Sequence, residues 1–126
     1  MAITQNNQFT AVDFRYMRDP DLTGGSGQAR SNAFGTTGKL YQIDIDNTQG
    51  SSSTGYLKLY DTNLAVTEGT TVPDFCFRVL TNTREVFTFP EGITFSSGFG
   101  YGASQSAGTT AGTALGSAPT IIFTFK

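Results

Sequence analysis

From residue 39 onward, large apolar residues recur at every second position in short runs, and each run is closed by Gly, Pro, Asn or Ser. A period of two sends alternate side chains to opposite faces of an extended chain, so these runs admit half-buried strands and reject amphipathic helices. "KLYQIDID" (39–46) sets Tyr41, Ile43 and Ile45 against Gln42, Asp44 and Asp46, with Leu40 out of step. "GYLKLYD" (55–61) sets Leu57 and Leu59 against Tyr56, Lys58 and Tyr60. "VPDFCFRVL" (72–80) sets Phe75, Phe77 and Val79 against Cys76, Arg78 and Leu80. "EVFTFP" (85–90) ends at Pro90, which has no N–H for a ladder, and "EG" is expected to turn the chain before "ITF". "GFGYGAS" and the terminal "PTIIFTFK" (119–126) complete the set. Asn47 and Gly50 set a turn within "NTQGSSST" (47–54), and "QSAGTTAGTALGSA" (105–118) reads as a surface loop.

These runs predict an all-β domain over 39–126, a β-sandwich or jelly roll of about seven or eight short antiparallel strands. "QFTAV" (8–12) or "MAITQ" (1–5) is the candidate eighth strand. Composition supports this. The 126 residues fit one domain, and 11 Phe and 5 Tyr supply many of the large apolar side chains, while charged residues are only 14% of the chain. Residues 1–38 differ, being polar and rich in Gly around one dense patch, "VDFRYMRDPDL" (12–22). Phe14, Tyr16, Met17 and Leu22 are costly to leave in water, which favours an extended arm that orders against another subunit or a host surface over a disordered tail or a plain first strand. Removing residues 1–20 is then expected to leave the sandwich folded.

The run 98–103, "GFGYGA", fits the dinucleotide fingerprint G-x-G-x-x-[GA]. That fingerprint works between a strand and a helix, whose N-terminus holds the pyrophosphate. Here no helical period follows, and no acidic residue lies beyond Glu91, so the match reflects glycine density. The expected structure is a strand with Phe99 and Tyr101 on one side and Gly98, Gly100 and Gly102 on the other, where another segment approaches closely. The chain has no His, which removes the usual general base and most transition-metal ligand sets. Cys76 is the single cysteine and reads as a strand or core thiol. Asp44 and Asp46 share a strand face, where a solvated outer surface is the default and a cation or glycosidase pair the sharper alternative. "DPDLTG" (19–24) imitates the start of a calcium loop through Asp19 and Asp21, but its twelfth position is Arg30 and Pro20 stiffens it. Neither catalysis, a cofactor nor a resident metal is expected.

The net charge of −2 gives no field to attract nucleic acid or an anionic membrane. Neither a signal-peptide pattern nor a membrane-spanning run is present, which predicts folding in a cytoplasm.

The pieces "DNT…GYLKLYD", "VTEGTTVPDFCFRV", "FPEGITFSSGFGYG" and a closing aliphatic-aromatic strand resemble a pattern of small tailed-phage virion proteins. The resemblance covers residues 39–126 and leaves out the arm. It implies a β-sandwich capsid decoration, or cement, subunit, often a homotrimer, that clamps neighbouring major capsid proteins on the head surface after assembly in the host cytoplasm. Related sandwiches serve in tails and baseplates. The expected contacts are Phe14, Arg15, Tyr16, Met17 and Arg18 of the arm, apolar anchors giving affinity and Arg giving register, with Tyr56 and Tyr60 on an outward face. A carbohydrate-binding module is the alternative of another class, with Tyr56, Tyr60, Phe99 and Tyr101 as stacking faces. The lack of Trp weighs against it.

Overall fold

The computed structural model describes residues 14–22, 29–35, 37–50 and 52–126. Among them are seven strands and no helix: β1 (Arg15–Asp19), β2 (Gly38–Asp46), β3 (Gly55–Tyr60), β4 (Phe75–Val79), β5 (Arg84–Phe95), β6 (Gly100–Ser104) and β7 (Thr120–Phe125). They form two antiparallel sheets, ordered β1-β7-β2-β5 and β4-β3-β6. The fold is therefore all-β, as the alternation predicts, and its two layers are those of a β-sandwich. Segments 1–5 and 8–12, offered for an eighth strand, lie outside the described residues.

The core forms where the inward sides of the two sheets meet. Leu40, Ile43, Ile45, Ile121, Phe123 and Phe125 come from the four-stranded sheet, and Leu57, Leu59, Val79, Tyr101 and Ala103 from the three-stranded one. Phe99, just before β6, is fully buried at the centre. Its ring lies 4.9 Å from Phe95, 5.1 Å from Phe34 and Phe123, and 5.7 Å from Phe125. Such pairs add about 0.5–1.5 kcal/mol each beyond the apolar area they bury. The glycines on the reverse of this strand let other segments close over it, as the sequence predicts. A Cβ on Gly98 would stand 2.5 Å from the Thr62 carbonyl oxygen, and one on Gly100 2.9 Å from Val66 Cγ2.

Three local features differ from expectation. The first is in β2, where Tyr41 is a bulge: Leu40 and Gln42 pair with consecutive residues of β7, Phe125 and Thr124. The extra residue reverses the alternation, which puts Leu40 on the same core-facing side as Ile43 and Ile45 and leaves Tyr41 half-buried. In the second, "PEG" (90–92) does not turn the chain. β5 runs through it as one strand, bulging opposite Tyr41 between the Thr88–Gln42 and Ile93–Leu40 pairs. Pro90 sits where the ladder is already broken, and Gly92 takes the left-handed φ of 74° that the bulge needs.

The third concerns the arm. The described part of residues 1–38 is built into the domain. β1 pairs along β7, Leu22 is fully buried, and Phe34 stacks on Phe125 at 4.1 Å. Arg30 and Ala33 hydrogen-bond to Tyr101 and Phe99 along the free edge of β6. Of the apolar residues that seemed to need a foreign surface, Met17 and Leu22 find one on their own chain while Tyr16 stays exposed, and open strand edges gain hydrogen-bond partners. Truncation at residue 20 would strip β1 from the sheet and is not a neutral deletion.

Asn47, fully buried, joins two distant turns. Its Nδ2 donates to the Ser53 and Leu80 carbonyl oxygens at 3.0 and 2.9 Å, and its backbone N–H donates to the Thr83 carbonyl at 2.8 Å.

Gly98→Ala should cost about 1–3 kcal/mol of unfolding free energy in urea, because its Cβ meets rigid backbone. Gly102→Ala, whose Cβ would lie 3.3 Å from the Ala29 side chain, should cost less, and the reverse order would contradict this packing.

Candidate functional site

The two sheets treat their outward faces differently. On the three-stranded sheet, Lys58 and Tyr60 point away from the core yet are 0% and 1% exposed. The β3–β4 loop brings Val66 and Glu68 over them, and the Thr110 carbonyl accepts a 2.9 Å hydrogen bond from Lys58 Nζ. That covers the face over Lys58 and Tyr60, while Cys76 and Arg78 on its β4 margin stay exposed.

The four-stranded sheet leaves its outer face open. Register places Tyr16, Thr124, Gln42 and Thr88 in one row across it, and Arg18, Ile122, Asp44 and Val86 in the next. Tyr16 is 74% exposed and Val86 52%, while Ile122 lies half-buried between them. Arg84 caps the β5 end of the face with a bidentate pair to Asp44 at 3.0 and 2.8 Å. Among the described residues β1 and β5 are also the edges of this sheet, so edge backbone groups border the face on both sides. An antiparallel sheet ordinarily shows one solvated face, and Thr and Gln belong there. A Tyr, an Ile and a Val beside an Arg add contact area and a charge for register, which suits protein recognition.

The residues expected to make contacts are divided by this geometry. Tyr16 and Arg18 lie on the open face. Arg15 and Met17 take the core side: the Arg15 guanidinium lies 5.8 Å from the Phe34 and Phe125 rings, and Met17 packs against the core. Phe14 is edge-on to Tyr41 at 5.3 Å, with the Lys126 ammonium 5.7 Å from its ring. Tyr56 is half-buried on the opposite sheet, and the buried Tyr60 offers no outward surface. Phe99 and Tyr101 are core residues, so with Tyr60 they provide no stacking platform for a sugar. Ile122, Val86 and Thr88 were not singled out from sequence. Their signal was present in the alternation of β5 and β7, but only strand order reveals that they adjoin Tyr16 and Arg18.

Of the acidic candidates, Asp19, Asp44 and Asp46 are occupied internally, and Asp21 contributes only backbone groups. Asp19, at the end of β1, accepts hydrogen bonds from the Tyr101 hydroxyl at 2.7 Å, Arg30 Nε at 3.1 Å and the Asp21 N–H at 2.9 Å. Asp44 holds Arg84, and Asp46 accepts from the Thr48 N–H and hydroxyl. Among the described residues no group of three or more acidic, His or Cys side chains is placed to hold a metal. Cys76 is exposed on the edge strand β4. Asp61, passed over in the sequence, accepts from the N–H groups of Ser96, Ser97 and Gly98 at 3.1, 2.7 and 3.3 Å and fixes the turn into β6.

Burial alone would raise the pKa values of Asp19 and Asp61, but these hydrogen bonds outweigh it and hold both below the ordinary aspartate value. A lowered folded-state pKa stabilises the fold above the unfolded value, and that stability drains away as pH falls through the lowered one. Urea unfolding should therefore give a free energy to which Asp19 and Asp61 add no pH dependence near neutrality, and which declines once pH drops below the unfolded aspartate value of about 3.9. Asp19→Ala should cost about 1–3 kcal/mol at pH 7 by leaving the Tyr101 hydroxyl without its acceptor, and should make the acid decline shallower.

No family model matches the chain, and no curated protein or solved structure matches it either.

Proposed function

We propose that this chain is a structural phage virion protein, a capsid decoration or cement subunit that binds neighbouring major capsid proteins on the head surface through the outer face of its four-stranded sheet. The observation that carries the reading is the contrast between the two sheets: loops cover Lys58 and Tyr60 on the outer face of one, and the other sets Tyr16, Arg18, Ile122 and Val86 side by side on an open surface. The motif resemblance supplies the virion context. Tyr16 and Val86 bring desolvation energy, and Arg18 selects a partner carboxylate and fixes register. Homotrimers about a threefold axis would present three such faces to the shell. A tail or baseplate role rests on the same motifs and differs in location.

Antibody labelling of intact virions separates these readings. Label over the head is expected; label on the tail transfers the proposal to the baseplate class, and unlabelled virions that lack the protein by mass spectrometry would discard a virion role. Tyr16→Ala combined with Arg18→Glu should lower particle occupancy tenfold or more, equivalent to about 1.4 kcal/mol, while the melting temperature moves by a few degrees. Undiminished occupancy would exclude this face.

A further inference from the structure

Lys58 and Glu68 are both enclosed, with side chains 0% and 1% exposed and Nζ 2.8 Å from Oε1. A buried ion pair needs further hydrogen bonds to offset a desolvation cost of several kcal/mol per ion. This one lacks them on the acidic side. Neither Glu68 oxygen is in hydrogen-bond geometry with any donor among the described residues, Lys58 included despite its proximity. Lys58 Nζ donates instead to the Thr110 carbonyl at 2.9 Å. The Tyr60 hydroxyl, on the same face of β3, is buried and has no hydrogen-bond partner among the described residues. Burial pushes its pKa up to about 12, with the nearby Glu68 charge adding to the effect. An amine and a carboxyl group are thus held together in a buried site where, among the described residues, the carboxyl group gains no further hydrogen bond.

We propose that Lys58 and Glu68 condense to an intramolecular isopeptide bond. The Lys58 ammonium passes a proton to the Glu68 carboxylate, and the resulting amine attacks Cδ of the acid. The C–N bond forms as one C–O bond breaks, and that oxygen departs as water carrying two protons. An ammonium and a carboxylate become one amide and one water, so charge and atoms balance without any oxidant or co-reactant. Enclosure supplies the drive, since groups held in contact react at effective molarities far above solution values, and two buried charges disappear. The product also suits the site better than the ion pair does. The amide N–H keeps the Thr110 carbonyl as acceptor, and the buried Glu68 charge near the Tyr60 hydroxyl is removed. The link would tie β3 covalently to the loop that seats Val66 against Gly100.

Intact-mass measurement of the purified, denatured wild-type chain tests this. The expected mass is one water, about 18 Da, below that of the sequence. Trypsin should then leave residues 40–78 as one peptide, uncut after Lys58 and lighter by one water, with fragmentation placing the link at Lys58 and Glu68. Lys58→Met and Glu68→Ala should each restore full mass. If either variant fails to fold, the wild-type digest still decides. Full mass with cleavage after Lys58 would overturn the proposal, as would a deficit located at any other residues.

Discussion

Phe99 fixes the sandwich because its strand has two incompatible sides. One carries rings that must leave water, and the other carries almost nothing. The rings of Phe95, Phe123 and Phe125 close on Phe99 from the four-stranded sheet and its approach, and Phe34 reaches it from the N-terminal region. Behind it, Gly98 and Gly100 permit the Thr62 carbonyl and Val66 to come within the reach of a missing Cβ. The packing of the core and the covering of the outer face over Lys58 and Tyr60 are therefore consequences of one strand. A side chain at either glycine would hold the covering loop away, and loss of the ring would leave a cavity that its aromatic neighbours could fill only by shifting.

That two-sidedness was legible in "GFGYGA" itself, as were β3, β4 and β7, because a period of two survives in the local sequence. What periodicity reports is which residues share a face. It does not report what covers that face. Tyr56, Lys58 and Tyr60 are in phase and point away from the core, yet Lys58 and Tyr60 are sealed by loops from far along the chain. The same limit hid the place of β1. Its apolar residues signal a need for burial, but pairing with β7 joins the two ends of the chain, with Tyr16 opposite Thr124, and no local pattern encodes that. The bulge at Tyr41 did leave a trace, since Leu40 out of step with Ile43 is the parity error that one extra residue produces. Asp61 left none: its role depends on three amides more than thirty residues away.

The difference between the outer faces has a physical basis in loop composition. The β3–β4 and β6–β7 connections carry Val66 and Leu115, both buried, so ordering them removes apolar surface from water and offsets the entropy of fixing a long loop. The four-stranded sheet gains a different cover at each end. Phe14 and Arg15 close over rings on its inner and upper margin, but the rows through Tyr16 and Arg18 receive nothing from the described chain.

Charge placement carries the argument one step further. The chain has 8 Lys and Arg, and most are committed internally: Arg30 to Asp19, Lys58 beside Glu68, Arg84 to Asp44, Arg15 and Lys126 over aromatic rings, and Lys39 toward the Glu91 carbonyl. Among the described residues Arg18 and Arg78 are the cations without such a partner, and both lie on edge strands, β1 and β4. A charge on an edge strand resists indiscriminate pairing with other strands, because burying it unpaired is costly. The same cost makes the edge selective. A partner that supplies a carboxylate to Arg18 gains the aromatic and aliphatic surface beside it, while a partner that does not must bury a bare guanidinium. With so few charges on the chain, one uncommitted Arg among Tyr16, Ile122 and Val86 is enough to separate a matching surface from the rest.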